Sequence, residues 1–228
     1  MSKKELKISP SSLNLFLECP HCFWLEKKMG IRRPPPYPFA LNMAVDHLLK
    51  KEFDKYRAMS KPHPLLTENN IDAELFPDQK LIDEWRDSSK GLRYYDSTLG
   101  VTIFGAIDDV LKFSDDKLAP LDYKSTGSKI AKVYDRFQIQ MDVYSYLLEK
   151  NGYSTPKKGY LAFYIIDKKN GFSEKLPFQK ELHEIETDSS YVSELFRNAV
   201  SILKRNDPPP HSPDCSFGKW FQDVKKFQ

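Results

Sequence analysis

Near residue 92 the spacing of apolar residues changes from three and four to two, and that change fixes the class of fold. Ahead of it, Leu41, Val45, Leu48, Leu49, Phe53 and Tyr56 recur at helical intervals, which predicts an amphipathic helix over 39–56 with Lys50, Lys51 and Lys55 outward. Behind it, residues 92–96, 101–113 and 118–124 alternate like strands and are joined by the turn-forming stretches 97–100 and 114–116. A helix over 130–150 with Gly152 as its stop, a buried strand over 159–166, one or two edge strands over 174–187 and a helix over 190–204 complete the pattern. At the N-terminus, Ser9-Pro10 opens a helix, and Pro20 opens a shorter one that Gly30 ends. Pro34-Pro35-Pro36-Tyr37-Pro38 reads as a stiff connector, residues 59–78 as a surface loop ahead of a helix near 81–85, and the chain from Pro208 as a proline-rich, then aromatic tail.

This order predicts an α/β (α+β) protein, a mixed central sheet flanked by helices within one domain. Its expected parts are an N-terminal helical region (9–90), a core (91–205) and a C-terminal tail (206–228) that packs back on the N-terminal helices. With 35 basic and 32 acidic residues the net charge is only +3, so affinity for nucleic acid has to come from where the charges sit. The longest apolar run, 159–166, is far short of the ~20 residues of a membrane helix, and the first residues carry no apolar signal region, so a cytoplasmic protein without a membrane partner is expected.

Asp108 lies in the second strand-like run and Asp122 in the third, with Lys124 two residues on and therefore on the same face. Two converging carboxylates with a lysine suit a divalent cation that polarises a phosphodiester and activates water. Taken singly, an Asp-x-Lys is more often a surface ion pair, and Asp109 beside Asp108 allows a solvated pair.

In order along the chain, Ser11-Ser12-Leu13 through Phe16, Cys19-Pro20 with Phe23, Gly105-Ala106-Ile107-Asp108, Asp122-Tyr123-Lys124 and Gln140-x-x-x-Tyr144 resemble the motifs of the PD-(D/E)XK nuclease superfamily, in particular its RecB-like branch, which includes CRISPR-associated exonucleases. The resemblance implies a restriction-endonuclease-like core and a Mg2+- or Mn2+-dependent deoxyribonuclease. In it Asp108, Asp122 and the Tyr123 carbonyl hold the ion, Lys124 positions or activates water, and Gln140 and Tyr144 contact phosphate or support the metal shell. The branch usually adds a histidine from an early helix. Asp46 fits that slot better here, with His47 in reserve. The resemblance further implies a DNA substrate, taken as single strands or ends, in repair, recombination or CRISPR adaptation. No Gly-x4-Gly-Lys-Ser/Thr loop is present, so a helicase motor, like any CRISPR adaptation protein, would be a separate partner chain.

Lys129, Lys132, Arg136, Gln140 and Tyr144 are spaced three, four, four and four, which predicts one basic helical stripe leading a nucleic-acid backbone to the carboxylates. The bland alternative is a solvated lysine face. Cys19, Cys22 and Cys215 are too few for a disulfide framework. With His211 their spacing suits a tetrahedral zinc ion, and the resemblance adds the iron-sulfur cluster of some relatives, for which Gly218 stands where a fourth cysteine is expected. Otherwise Cys19 and Cys22 are small buried apolar residues.

Overall fold

The computed structural model describes residues 5–34, 40–169 and 174–227. Two compact units emerge, one built from residues 1–38, 95–103 and 190–228, the other from residues 39–94 and 104–189. In chain order the first elements are β1 (Lys7–Ile8), α1 (Pro10–Glu18), α2 (Pro20–Trp24), a π-helical turn (Leu25–Met29), α3 (Ala40–Ala58) and α4 (Pro64–Glu68). Next come β2 (Ala73–Leu75), α5 (Gln79–Arg86), β3 (Leu92–Asp96), β4 (Val101–Gly105), β5 (Asp109–Phe113) and β6 (Leu118–Thr126). The chain closes with α6 (Asp135–Lys150), β7 (Lys158–Ile166), β8 (Phe178–Glu186), α7 (Val192–Leu203) and α8 (Ser216–Lys225).

Two sheets form, with strand orders β1-β4-β3 and β2-β5-β6-β7-β8. In the larger one β6 and β7 run parallel, joined by the crossover helix α6, and every other pair is antiparallel. Helices cover both faces of β6. Tyr123 meets Phe53 of α3 with ring centroids 4.7 Å apart, whereas Asp122, one residue earlier, meets Gln140 of α6. The fold is therefore the mixed sheet flanked by helices that the change of period predicts. On the α3 side Val45, Leu49 and Phe53 pack against Leu121, Tyr160 and Ala162, each large side chain worth roughly 1.5–3 kcal/mol of burial. In the other unit α1 and α2 pack on α7.

Several local expectations are corrected. The run at 101–113 is two strands, broken at residues 106–108, and β4 and β5 enter different sheets. Residues 59–78 are not a loop throughout. Pro64 begins α4, Leu65 and Leu66 are buried, and β2 pairs with β5 through Ala73 and Phe113. The helix expected from residue 130 begins at Asp135, because Tyr134 is still extended (φ −103°, ψ 153°). On α3 the apolar face is narrower than its spacing suggests, with Leu41 and Leu48 exposed, and it turns polar at its end, where Arg57 is buried. The aromatic tail contains a helix, α8. Beyond Pro34 the proline connector lies outside the described residues. No described helix is long and apolar enough to cross a membrane.

His63 shows how α4 is held. Its Nδ1 accepts the Leu65 N–H at 3.1 Å, which caps the helix, while Nε2 faces Glu52 at 3.0 Å and the ring stacks on Phe53. Burial, opposed by Glu52, holds its pKa below the ordinary histidine value. A depressed value means that the neutral ring adds stability above pH ~6.5 and that this share is lost as pH falls through the lower folded value. His63→Asn keeps a capping oxygen and removes the titration. Its urea midpoint is expected to fall less than that of the parent chain between pH 7 and pH 5, and equal falls would count against the assignment.

Candidate functional site

The second unit gathers its polar groups at the open ends of β5 and β6. Asp122 is 2% exposed and lies on the α6 face of β6. Its Oδ1 accepts from Gln140 Nε2 at 2.8 Å, and its Oδ2 lies against the Lys124 ammonium but receives no aligned hydrogen bond. Burial pushes the Asp122 carboxyl up to about 7, with Lys124 opposing and Asp108 adding to the rise. Lys124 also reaches Gln140 Oε1 at 3.0 Å and sits over the Phe137 ring. Gln140 donates in turn to the Tyr144 hydroxyl, which donates to the Ala106 carbonyl at 2.6 Å. Gly105 makes this possible, since a Cβ there would lie 2.6 Å from Cε1 of Tyr144. Burial raises the Tyr144 pKa well above the ordinary tyrosine value, so it remains a neutral hydroxyl.

Asp108 precedes β5 and is fixed from two directions. Its Oδ2 accepts the Tyr123 N–H at 3.1 Å, which brings it to the carboxylate strand, and its backbone carbonyl accepts from Arg86 Nε at 2.6 Å. Neighbouring Asp109 is no solvated partner. It is fully buried, and its carboxylate takes Arg57 Nη2 at 2.7 and 2.8 Å, Arg86 Nη2 at 3.0 Å and the Tyr123 hydroxyl at 2.7 Å. The Tyr123 side chain is thus committed to Asp109 and its N–H to Asp108, which leaves its backbone carbonyl as the part to offer a ligand.

Asp46 faces the same group from α3, and Lys50 joins them. The Lys50 ammonium is 2.8 Å from Asp46 Oδ2 and 2.8 Å from Asp108 Oδ1. Burial disfavours its charge, but Asp108 and Asp46 outweigh that and hold its pKa above the ordinary lysine value. Lys50 was expected to point outward, and the structure corrects this. It stands one helical turn after Asp46, the spacing at which side chains meet, and that spacing was the available signal. His47 is exposed on the same helix. Asn42, one turn before Asp46, ties α3 to β6 through the Ser125 carbonyl at 2.6 Å.

The basic stripe is also rearranged. Lys129 and Lys132 lie in the loop before α6, so only Arg136, Gln140 and Tyr144 share the helix. Ser128 closes a local turn on Thr126 Oγ1 at 3.0 Å, and the cations collect on aromatic rings instead. Lys132 and Arg136 stand 5.1 and 4.6 Å from the Tyr134 centroid. Ser125, Lys129, Lys132, Tyr134, Arg136 and Phe137 line part of an open cleft of about 790 Å³ that begins at Lys124. A smaller cleft of about 380 Å³ lies over Asp46, Tyr123 and Lys124.

In the first unit Cys19, Cys22, Cys215 and His211 place one ligand atom each within 4.8 Å of one another. Cys19 Sγ and Cys22 Sγ are 3.5 and 3.9 Å from His211 Nδ1, and Cys22 and Cys215 are 3.7 Å apart. Gly218 leaves room for the imidazole, because a Cβ there would be 2.6 Å from His211 Cγ. The ring therefore fills the place expected of a fourth cysteine. His21 stacks on His211 with centroids 3.6 Å apart and donates to the Pro209 carbonyl. Burial pushes the Cys19 thiol up, but N–H groups of Cys22 and Ser212 with His211 outweigh it and bring it down to about 6. Burial takes Cys22 the other way, to about 12, against Arg33.

Among the described residues this is the only place where three or more His, Cys, Asp or Glu ligand atoms converge so closely. Around Asp46, Asp108 and Asp122 one lysine ammonium, Lys50, bridges the first two carboxylates, and another, Lys124, lies against the third. The donors nevertheless fit a hard divalent cation. They are carboxylate oxygens, and each of the three carboxylates already faces a positive charge, Asp46 and Asp108 at Lys50 and Asp122 at Lys124.

A mixed sheet with an Asp, Asp-x-Lys cluster beside the start of β5 and along β6 defines a nuclease-like fold of the restriction-endonuclease type. The chain belongs to the PD-(D/E)XK nuclease superfamily, whose model matches residues 7–219. No curated relative matches the sequence. A solved structure titled "Crystal structure of SSO0001" is similar at 13% identity and a TM-score of 0.48, over 92% of this chain and 82% of that one.

Proposed function

We propose that this chain is a deoxyribonuclease of the RecB-like branch that cleaves single strands or ends with water activated at Mg2+ or Mn2+. The observation that carries the reading is Asp122, a buried carboxylate with one oxygen held by Gln140 and the other against the Lys124 ammonium, with Asp108 acting on it. A divalent cation held by Asp46, Asp108, Asp122 and the Tyr123 carbonyl would lower the pKa of its water and neutralise charge on the scissile phosphate. Lys124 holds the attacking water and meets the charge that develops on phosphate. Gln140 fixes both Lys124 and Asp122, and Tyr144 fixes Gln140, so these two act as positioning residues. Lys129, Lys132 and Arg136 draw the backbone along the larger cleft, and the Tyr134 ring among them offers a stacking face to an unpaired base. The test is cleavage of labelled single-stranded DNA, duplex DNA and RNA with Mn2+, Mg2+ or EDTA. Metal-dependent shortening of single-stranded DNA is expected. Cleavage of none of them overturns the reading, and cleavage of RNA alone overturns its substrate.

The cysteine cluster supports a second cofactor, one structural zinc ion. A tetrahedron with zinc–sulfur bonds of about 2.3 Å and zinc–nitrogen bonds of about 2.05 Å has edges of about 3.8 Å between sulfurs and about 3.6 Å between sulfur and nitrogen. The separations of 3.7, 3.5 and 3.9 Å match one ion. A four-iron cluster puts each ligand on a different iron and spreads them further. Elemental analysis is expected to find about one zinc per chain. Cys215→Ser should lose it and melt about 5–10 °C lower, about 2–4 kcal/mol for a chain of this length. Metal-free protein with an unchanged midpoint overturns this assignment.

A further inference from the structure

We propose that Lys50 is a built-in stand-in for the cation, an ammonium that bridges Asp46 and Asp108 and must leave before a divalent ion can take that position, so that it sets how tightly the site binds metal. The inference rests on the nuclease reading and deepens it.

The two lysines of the cluster are held differently. Lys124 is tied to Asp122, to Gln140 Oε1 at 3.0 Å and to the Phe137 ring, all within β6 and α6. Lys50 makes its direct ion pairs with the two carboxylates, each at 2.8 Å, and acts on Asp122 only through space. Its side chain is 22% exposed, and its flexible stem leaves it free to swing toward solvent. Asp46 and Asp108 come from separate elements, α3 and the segment before β5, and without a positive charge between them they would repel. Lys50 removes that repulsion and keeps both carboxylates in place. The same charge opposes an arriving cation, so each binding event exchanges one ammonium for one metal ion.

The experiment is a calorimetric Mn2+ titration of the full chain without DNA. Lys50→Met is expected to bind Mn2+ about tenfold more tightly than the parent chain, and Lys50→Arg, which keeps the charge, is expected to stay near the parent value. Asp46→Asn is expected to bind more weakly. A merely structural lysine would give the opposite sign, since its loss would loosen the site. Should Lys50→Met fail to fold by circular dichroism, Lys50→Gln carries the same expectation. Equal or weaker binding in a folded, charge-free variant overturns the role of Lys50, whether or not the parent chain cleaves DNA. If such a variant binds tightly while the parent chain cleaves nothing, the stand-in role survives and the nuclease reading fails. Absence of Mn2+ binding in every chain overturns both.

Discussion

Lys124→Ala is expected to lower metal-dependent cleavage of single-stranded DNA by about 100- to 1,000-fold while leaving the protein folded, the loss typical of one electrostatic group at a reacting centre. Lys124 is partly exposed and makes no contribution to the apolar core, so its removal costs little packing. What it takes away is the ammonium that pairs with Oδ2 of Asp122. Asp108→Ala should be at least as damaging, because it removes a carboxylate that the Tyr123 N–H holds in position. The measurement is the initial cleavage rate at saturating Mn2+, with the thermal midpoint as control. Full activity in either variant would overturn the mechanism.

Asp109→Ala is expected to cost about 3–5 kcal/mol of stability, the usual loss when one partner of a buried ion pair is removed. Arg57 and Arg86 are 2% and 9% exposed and both spend a guanidinium nitrogen on this carboxylate. Asp54 remains to both arginines, at 3.3 Å from Arg57 and 2.8 Å from Arg86, which keeps the loss toward the lower end. Urea denaturation reads it directly, and a change below about 1 kcal/mol would contradict the assigned network. Arg86 also holds the Asp108 carbonyl, so the variant tests whether the scaffold beneath the site is rigid.

Periodicity carried most of the fold. The alternation in β6 placed Asp122 and Lys124 on one face, and the helical spacing over α3 located Val45, Leu49 and Phe53 in the core. It failed where the decisive partner is distant in sequence. β2 is three residues long and exists because β5 pairs with it, which no local pattern announces. The break between β4 and β5 is hidden because apolar alternation continues through it, although Gly105 marks the place where the Tyr144 ring needs room. Lys129 and Lys132 lie off the helix because α6 begins only after Tyr134, whose extended backbone a matching helical spacing of the residues before it does not reveal. Lys50 was assigned to solvent by the default for its residue type, and only its distance of one turn from Asp46 argued otherwise. The buried role of Asp109 was illegible, because its two arginines lie 52 and 23 residues away.

Cys22 and Cys215, now 3.7 Å apart, are separated by 193 positions in the chain. At the roughly 5–20 residues per second of protein synthesis, about 10–40 s pass between the emergence of one and of the other. Every strand of the larger sheet is complete by Glu186, before that interval ends. The newborn chain therefore finishes its sheet while Cys19 and Cys22, three positions apart with Pro20 and His21 between them, still await His211 and Cys215. Birth order makes the cysteine centre mature after the larger sheet, and it leaves the two early thiols open to oxidation until their partners arrive.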